Sequence, residues 1–91
     1  MSNASEWWAD RIRELPCAVC GAHGVHAHHA TGHDAGRGLG KKTGSCLLIP
    51  LCVECHSMMH HTGTKAFERQ FGAQIDMVSD AIESVARRLM R

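Results

Sequence analysis

Apolar positions along this 91-residue chain recur with two different periods, and the changes of period mark its elements. Trp8, Ile12 and Leu15 fall at helical spacing behind a plausible N-cap, Ser5, with Glu6 and Asp10 early in the run, until Pro16 stops the pattern. A short helix over about residues 5–15 is predicted. Val25 to His29 is short, β-compatible and bounded by glycines, so it reads as a strand. From Thr31 to Gly44 five glycines, at 32, 36, 38, 40 and 44, forbid a regular element and predict a loop. Leu47 to Leu51 then reads as a second strand, antiparallel to the first and ending at Pro50. His56 to His61 has no breaker before Gly63 and suits a short helix, followed by Thr64 to Phe71 with Phe67 and Phe71 four apart. Finally Ile75, Val78, Ile82, Val85 and Leu89 step by 3, 4, 3 and 4, the stripe of an amphipathic helix over about residues 75–90. It suits packing on the core or on a second copy of the chain.

The pattern therefore predicts a small α+β domain: a hairpin and a helix, flanked by an N-terminal and a C-terminal helix. Length allows one domain, over residues 5–91, with Met1 to Ala4 read as a disordered tag remnant. Composition, 44% hydrophobic and 21% charged, is that of a folded globular chain. With no apolar run of roughly 20 residues and no signal-peptide pattern, a cytoplasmic protein without a membrane partner is expected. Trp7 and Trp8 offer faces for base stacking, but near a helix stripe they read first as core or interface.

A net charge of +1 does not by itself announce a nucleic-acid partner. Its distribution says more. Arg37, Lys41 and Lys42 share the glycine-rich stretch with no acid after Asp34, and are expected to bind DNA phosphates. Arg87, Arg88 and Arg91 crowd the C-terminus, where phosphate binding and a plain solvated surface weigh evenly.

Cysteine changes the picture further. Four of the five form Cys17-x-x-Cys20 and Cys52-x-x-Cys55. Two disulfides would use them, but a reducing compartment favours a metal. Two such turns supply the tetrahedral four-sulfur shell of a structural Zn²⁺, worth roughly 10–16 kcal/mol of apparent binding free energy to a short chain. Cys46 lies in an apolar stretch and reads as a buried free thiol.

The eight histidines cluster after each cysteine pair: His23, His26, His28, His29 and His33, then His56, His60 and His61. On a helix, His56 and His60 at i and i+4 share one face, the geometry by which two imidazoles hold one divalent ion. The 31 residues between Cys20 and Cys52 exceed the span of a simple two-knuckle zinc site, so the insert carries more than a loop. On a regular strand, however, the pleat pairs His26 with His28 and turns His29 to the other side.

Cys17-x-x-Cys20, His28-His29, Gly38-Leu39-Gly40-Lys41 and Pro50-Leu51-Cys52-x-x-Cys55-His56-x-x-x-His60 together resemble the HNH (ββα-metal) endonucleases. The likeness covers about residues 16–72 and is nearest the phage-type subgroup with Cys-x-x-Cys zinc that includes the recombination-associated Ref nucleases. What it implies is a ββα-metal (His-Me finger) fold. A hairpin and a helix would grip one divalent cation, with His28, His56 and His60 as its ligands. His29 would be the general base, and the four cysteines the structural zinc site. His26 and His61 stand in reserve as ligands. Relatives commonly carry an aspartate shortly after the glycine-rich lysine, where this chain has Thr43-Gly44-Ser45. An all-imidazole set suits Zn²⁺ or Ni²⁺ better than Mg²⁺ on ligand softness, and the choice of catalytic metal stays open among Mg²⁺, Mn²⁺, Ni²⁺ and Zn²⁺. The implied reaction is phosphodiester hydrolysis in DNA, leaving a 5′ phosphate and a 3′ hydroxyl. Expected partners are DNA, a recombination or phage protein, and a second copy of the chain. The rival from another class is a non-catalytic zinc-binding DNA or protein adaptor. A Cys-x-x-Cys redox protein lacks the βαβ context that chemistry uses.

Overall fold

A computed structural model describes residues 3–30 and 47–90. Its order is α1 (Asn3–Arg13), β1 (Val25–His29), β2 (Leu48–Cys52), α2 (Val53–Thr62), α3 (Thr64–Phe71) and α4 (Gln74–Leu89). This is an α+β arrangement: one two-stranded antiparallel sheet with helices on both sides.

The first helix begins at Asn3, two residues ahead of the predicted Ser5 cap. Asn3 and Ala4 therefore fall within the helix; alanine is the best helix former, and nothing there opposes extension. The helix ends in tight turns, Glu14 N–H to Arg11 O at 3.2 Å and Leu15 N–H to Ile12 O at 3.0 Å, just before Pro16.

The sheet divides the molecule into two cores. The register pairs Ala27 with Pro50 and His28 with Ile49, so the pleat sends Ala27, His29, Leu48 and Pro50 to one face and His26, His28, Ile49 and Leu51 to the other. Leu48 packs with Ile12, Leu15, Ala81 and Val85 on the α1 and α4 side. Ile49 and Leu51 pack with Met59, Phe67, Met77 and Val78 on the other. That double cover is why all five residues of β2 are buried. Pro50 stands in the middle of β2, which runs two residues past it to Cys52, beyond the strand end predicted at Pro50. Its carbonyl accepts from Ala18 N–H at 2.8 Å, so its backbone N and O face away from β1 and the missing N–H costs no ladder bond.

Two corrections concern helices. The second helix starts at Val53, three residues before the predicted His56, because Cys52 caps it: its Sγ accepts from Cys55 N–H at 3.5 Å. In α4 the buried stripe is Gln74, Met77, Val78, Ala81 and Val85, while Ile75, Ile82 and Leu89 are 46%, 41% and 58% exposed. The predicted stripe is thus rotated. Its 3-4 spacing mixes two neighbouring stripes that share Val78 and Val85 as their border, and a polar Gln74 and a small Ala81 fill the true seam. Trp7 is exposed, with the Arg11 guanidinium 5.1 Å from its ring centre, and Trp8 is half-buried against the α1 core. Among the described residues, no helix is long and apolar enough to cross a membrane.

Candidate metal centre and histidine cluster

The sulfur site is built from a turn and a helix start. After Pro16 the chain doubles back, with Cys17 N–H bonded to Ala22 O at 2.8 Å and Gly21 N–H to Cys17 O at 3.0 Å. The Ala18 to Pro50 bond docks this knuckle on β2, beside Cys52. All four sulfurs, of Cys17, Cys20, Cys52 and Cys55, lie within 4.8 Å of one another, and Cys20 Sγ is 3.6 Å from Cys52 Sγ. A tetrahedron with Zn–S bonds of about 2.3 Å has edges of about 3.8 Å, so the spacing is that of a metal shell. The sulfurs are free thiols, at separations far beyond a disulfide bond.

Hydrogen bonds and burial pull on this cluster in opposite directions. Val19 N–H donates to Cys17 Sγ at 3.4 Å, as Cys55 N–H does to Cys52 Sγ. Burial works against the Cys17 thiolate, but backbone donors at Cys20, Cys52 and Val19 prevail and hold its pKa down at about 6. Burial and the three neighbouring sulfurs push the Cys55 thiol well up. Four such sulfurs are stable as thiolates only around a cation. Four close cysteines fit to hold a structural metal such as zinc are therefore part of this chain. Cys46 lies outside the described residues.

Across the sheet from α1, a second group gathers. His28, in β1, is buried, and its Nδ1 is 3.1 Å from Nε2 of His56 in α2. The ring of His60, one turn further on, lies 4.8 Å from that of His56 and 6.4 Å from that of His28, centre to centre. His26 meets His56 edge-on at 5.9 Å from the exposed end of the same face. Burial first, and then the charge His56 would carry, pulls the His28 imidazole down to about 4. Burial and His60 likewise lower His56. Both rings thus present neutral nitrogens. Among the described residues the four cysteines alone bring three or more ligand atoms within a few ångströms; the His28–His56 pair is close, and His60 stands one step off.

His29 is turned to the opposite side, as the pleat dictates, towards Ser5, Glu6, Asp10 and Arg13 of α1. His61 is exposed beside Ser57 and His60, and His23 is exposed in the turn before β1. Arg37, Lys41 and Lys42, predicted to bind DNA, and His33 lie outside the described residues.

Pattern reading missed Gln74. It is 1% exposed at the start of α4, its backbone N–H donates to Glu68 Oε2 at 2.8 Å, and its side chain acts on His28 in favour of the protonated ring. The opposite nitrogen of His28, Nε2, is buried without a well-formed hydrogen bond. The signal for Gln74 was its place one helical turn before Val78, continuing the 77-78-81-85 seam.

Comparison with known proteins gives few neighbours. The chain is 37% identical over 67 residues to "Uncharacterized protein YdfU" of Escherichia coli (strain K12). The match covers 74% of this chain and 19% of that protein, so the chain spans about a fifth of its relative's length. No solved structure matches it. Residues 1–88 match the family described as "Protein of unknown function (DUF968)", and the chain belongs to that family.

Proposed function

We propose that this chain is a metal-dependent DNA endonuclease of the ββα-metal type, with a four-cysteine zinc for its scaffold and a second divalent cation at the histidines. The observation that carries the reading is the 3.1 Å between His28 Nδ1 and His56 Nε2. Two nitrogens at metal bonds of about 2.0–2.1 Å stand about 3.0 Å apart at a right angle and about 3.4 Å apart in a tetrahedron. Supporting it are the order β1–β2–α2, with β1 laid against α2 so that His28 faces His56 and His60, and the depressed basicity that leaves His28 and His56 unprotonated at neutral pH.

In this reading His28, His56 and His60 would hold the cation, His60 closing on it by a rotamer change. When bound, such an ion stabilises charge on a phosphodiester in hydrolysis and on the leaving 3′ oxygen. The chain's own part is to hold three imidazoles on one face and to offer a further one as base. His29 occupies the family's base position, while the pleat puts His26 on the ligand face.

A plasmid-nicking assay of the zinc-loaded chain with added Mg²⁺, Mn²⁺, Ni²⁺ or Zn²⁺ tests this. Cleavage is expected with at least one ion, lost by more than about 100-fold in His28→Ala and His56→Ala with sulfur-bound zinc retained. His29→Ala and His26→Ala run side by side identify the base. Full zinc content with no cleavage under any ion would leave the adaptor reading, in which the cysteine zinc is the sole metal.

A further inference from the structure

Once α4 is seated, it keeps a second apolar stripe that belongs to neither core. Ile75, Ile82 and Leu89 are spaced by seven residues and are all more than two-fifths exposed, with the small exposed side chains of Ser79 and Ala86 between them. A seven-residue repeat of Ile, Ile and Leu on one helical line is the seam by which one helix packs on another. Single exposed leucines need no explanation, but three in register over 15 residues form a continuous strip.

The charges beside the strip say what it packs on. Its acidic flank, Asp76, Asp80 and Glu83, occupies the first two-thirds of the helix, and Arg87 and Arg88 the last turns. Asp76, Glu83 and Arg87 lie along the same edge, where Arg87 reaches Glu83 at 2.7 Å. A parallel copy would turn the two charged edges to opposite sides of the pair, so that neither Asp76 nor Arg87 met a partner of opposite sign across it. An antiparallel copy related by a two-fold axis at Ile82 sets Ile75 against Leu89 of the second copy and Asp76 beside its Arg87. Both helix dipoles are then opposed as well.

We propose that α4 is a self-association surface: two copies of this chain pair antiparallel through Ile75, Ile82 and Leu89, with Asp76 and Arg87 of opposite copies closing the edge. The contact is isologous, so each interaction away from the axis occurs twice.

The test is sedimentation equilibrium of the zinc-loaded chain between about 1 and 300 μM, a range that brackets a helix-pair affinity. A concentration-dependent rise towards twice the 10.0 kDa chain mass is expected. Ile82→Glu puts two carboxylates at the axis and should weaken the dimer by more than about 100-fold, and because Ile82 is exposed its zinc content and circular dichroism should be those of the parent. Orientation is read from charge: Arg87→Asp weakens association, and Asp76→Arg combined with Arg87→Asp restores it. A monomer at every concentration overturns the proposal, as does an Ile82→Glu chain that still dimerises; failure of the charge exchange to restore binding overturns the antiparallel arrangement.

Discussion

His28 concentrates the chemistry of the candidate site in one residue. It is 7% exposed, packed against two other imidazoles, and its pKa is held at about 4 against about 6.5 in an unfolded chain. The sign of the consequence is fixed. Above pH 6.5 the ring is neutral in both states and contributes no pH dependence. As pH falls below 6.5 the unfolded chain binds the proton and the folded chain does not until about pH 4, so stability is lost across that window. The loss reaches about 3 kcal/mol at most, and its slope approaches about 1.4 kcal/mol per pH unit. Urea midpoints from pH 7 to 4 should fall less steeply for His28→Asn than for the parent; parallel profiles would mean that the surroundings do not keep this ring neutral. Much at this scale was legible in the sequence. Cysteine and histidine announce themselves by spacing, and the 3.6-residue period predicted that His56 and His60 would share a face. Gln74 was only half legible: its place on the buried seam of α4 is a local signal, but the choice of glutamine there answers to His28, 46 positions away in the chain.

The site depends, one level up, on how strand leads into helix. Cys52 ends β2 and caps α2, so a single residue joins the sulfur cluster, closes the ladder and starts the helix that presents His56. The two helices that follow are joined by glycines, Gly63 at φ 92° and Gly72 at φ 108°, both at ψ near 150–165°, a region that side-chain-bearing residues avoid. Gly63 turns the chain so that α3 brings Phe67 under Met59 and Ile49. A Cβ at Gly63 would meet no atom within 4 Å, so Gly63→Ala tests the backbone alone. The expected cost is about 1–3 kcal/mol, read as a lower urea midpoint with unchanged zinc content; an unaffected midpoint would show that this turn relaxes freely. Strand and helix existence followed from periodicity, with β1 predicted to the residue. What failed was rotational: in α4 the 3-4 spacing fitted two adjacent stripes equally well, and only the positions of α1 and β2 decide which is covered.

For the molecule as a whole, the sheet is two strands and each core is a handful of side chains, so a metal held by the four cysteines would have an outsized share of the stability. A sulfur-bound zinc would contribute roughly 10–16 kcal/mol to a fold whose kind is stable by about 5–15 kcal/mol in total. The cluster also sits in the same core as Val25, Ile49, Phe67 and Val78, which links both strands, α2, α3 and α4. Removing zinc with a strong chelator should therefore unfold the chain at room temperature or lower its melting temperature by more than about 20 °C, and re-adding zinc should restore it. The cysteine cluster and the proposed histidine site should respond asymmetrically because of where they lie. Cys55→Ser breaks the shell and with it the helix start that carries His56, so it should abolish zinc binding, folding and any cleavage together. His56→Ala removes only a half-buried ring that follows that start, so it should keep zinc, shift the melting temperature by no more than about 5 °C, and lose cleavage alone. A cleaving Cys55→Ser chain, or a His56→Ala chain that unfolds, would reverse the roles of scaffold and site.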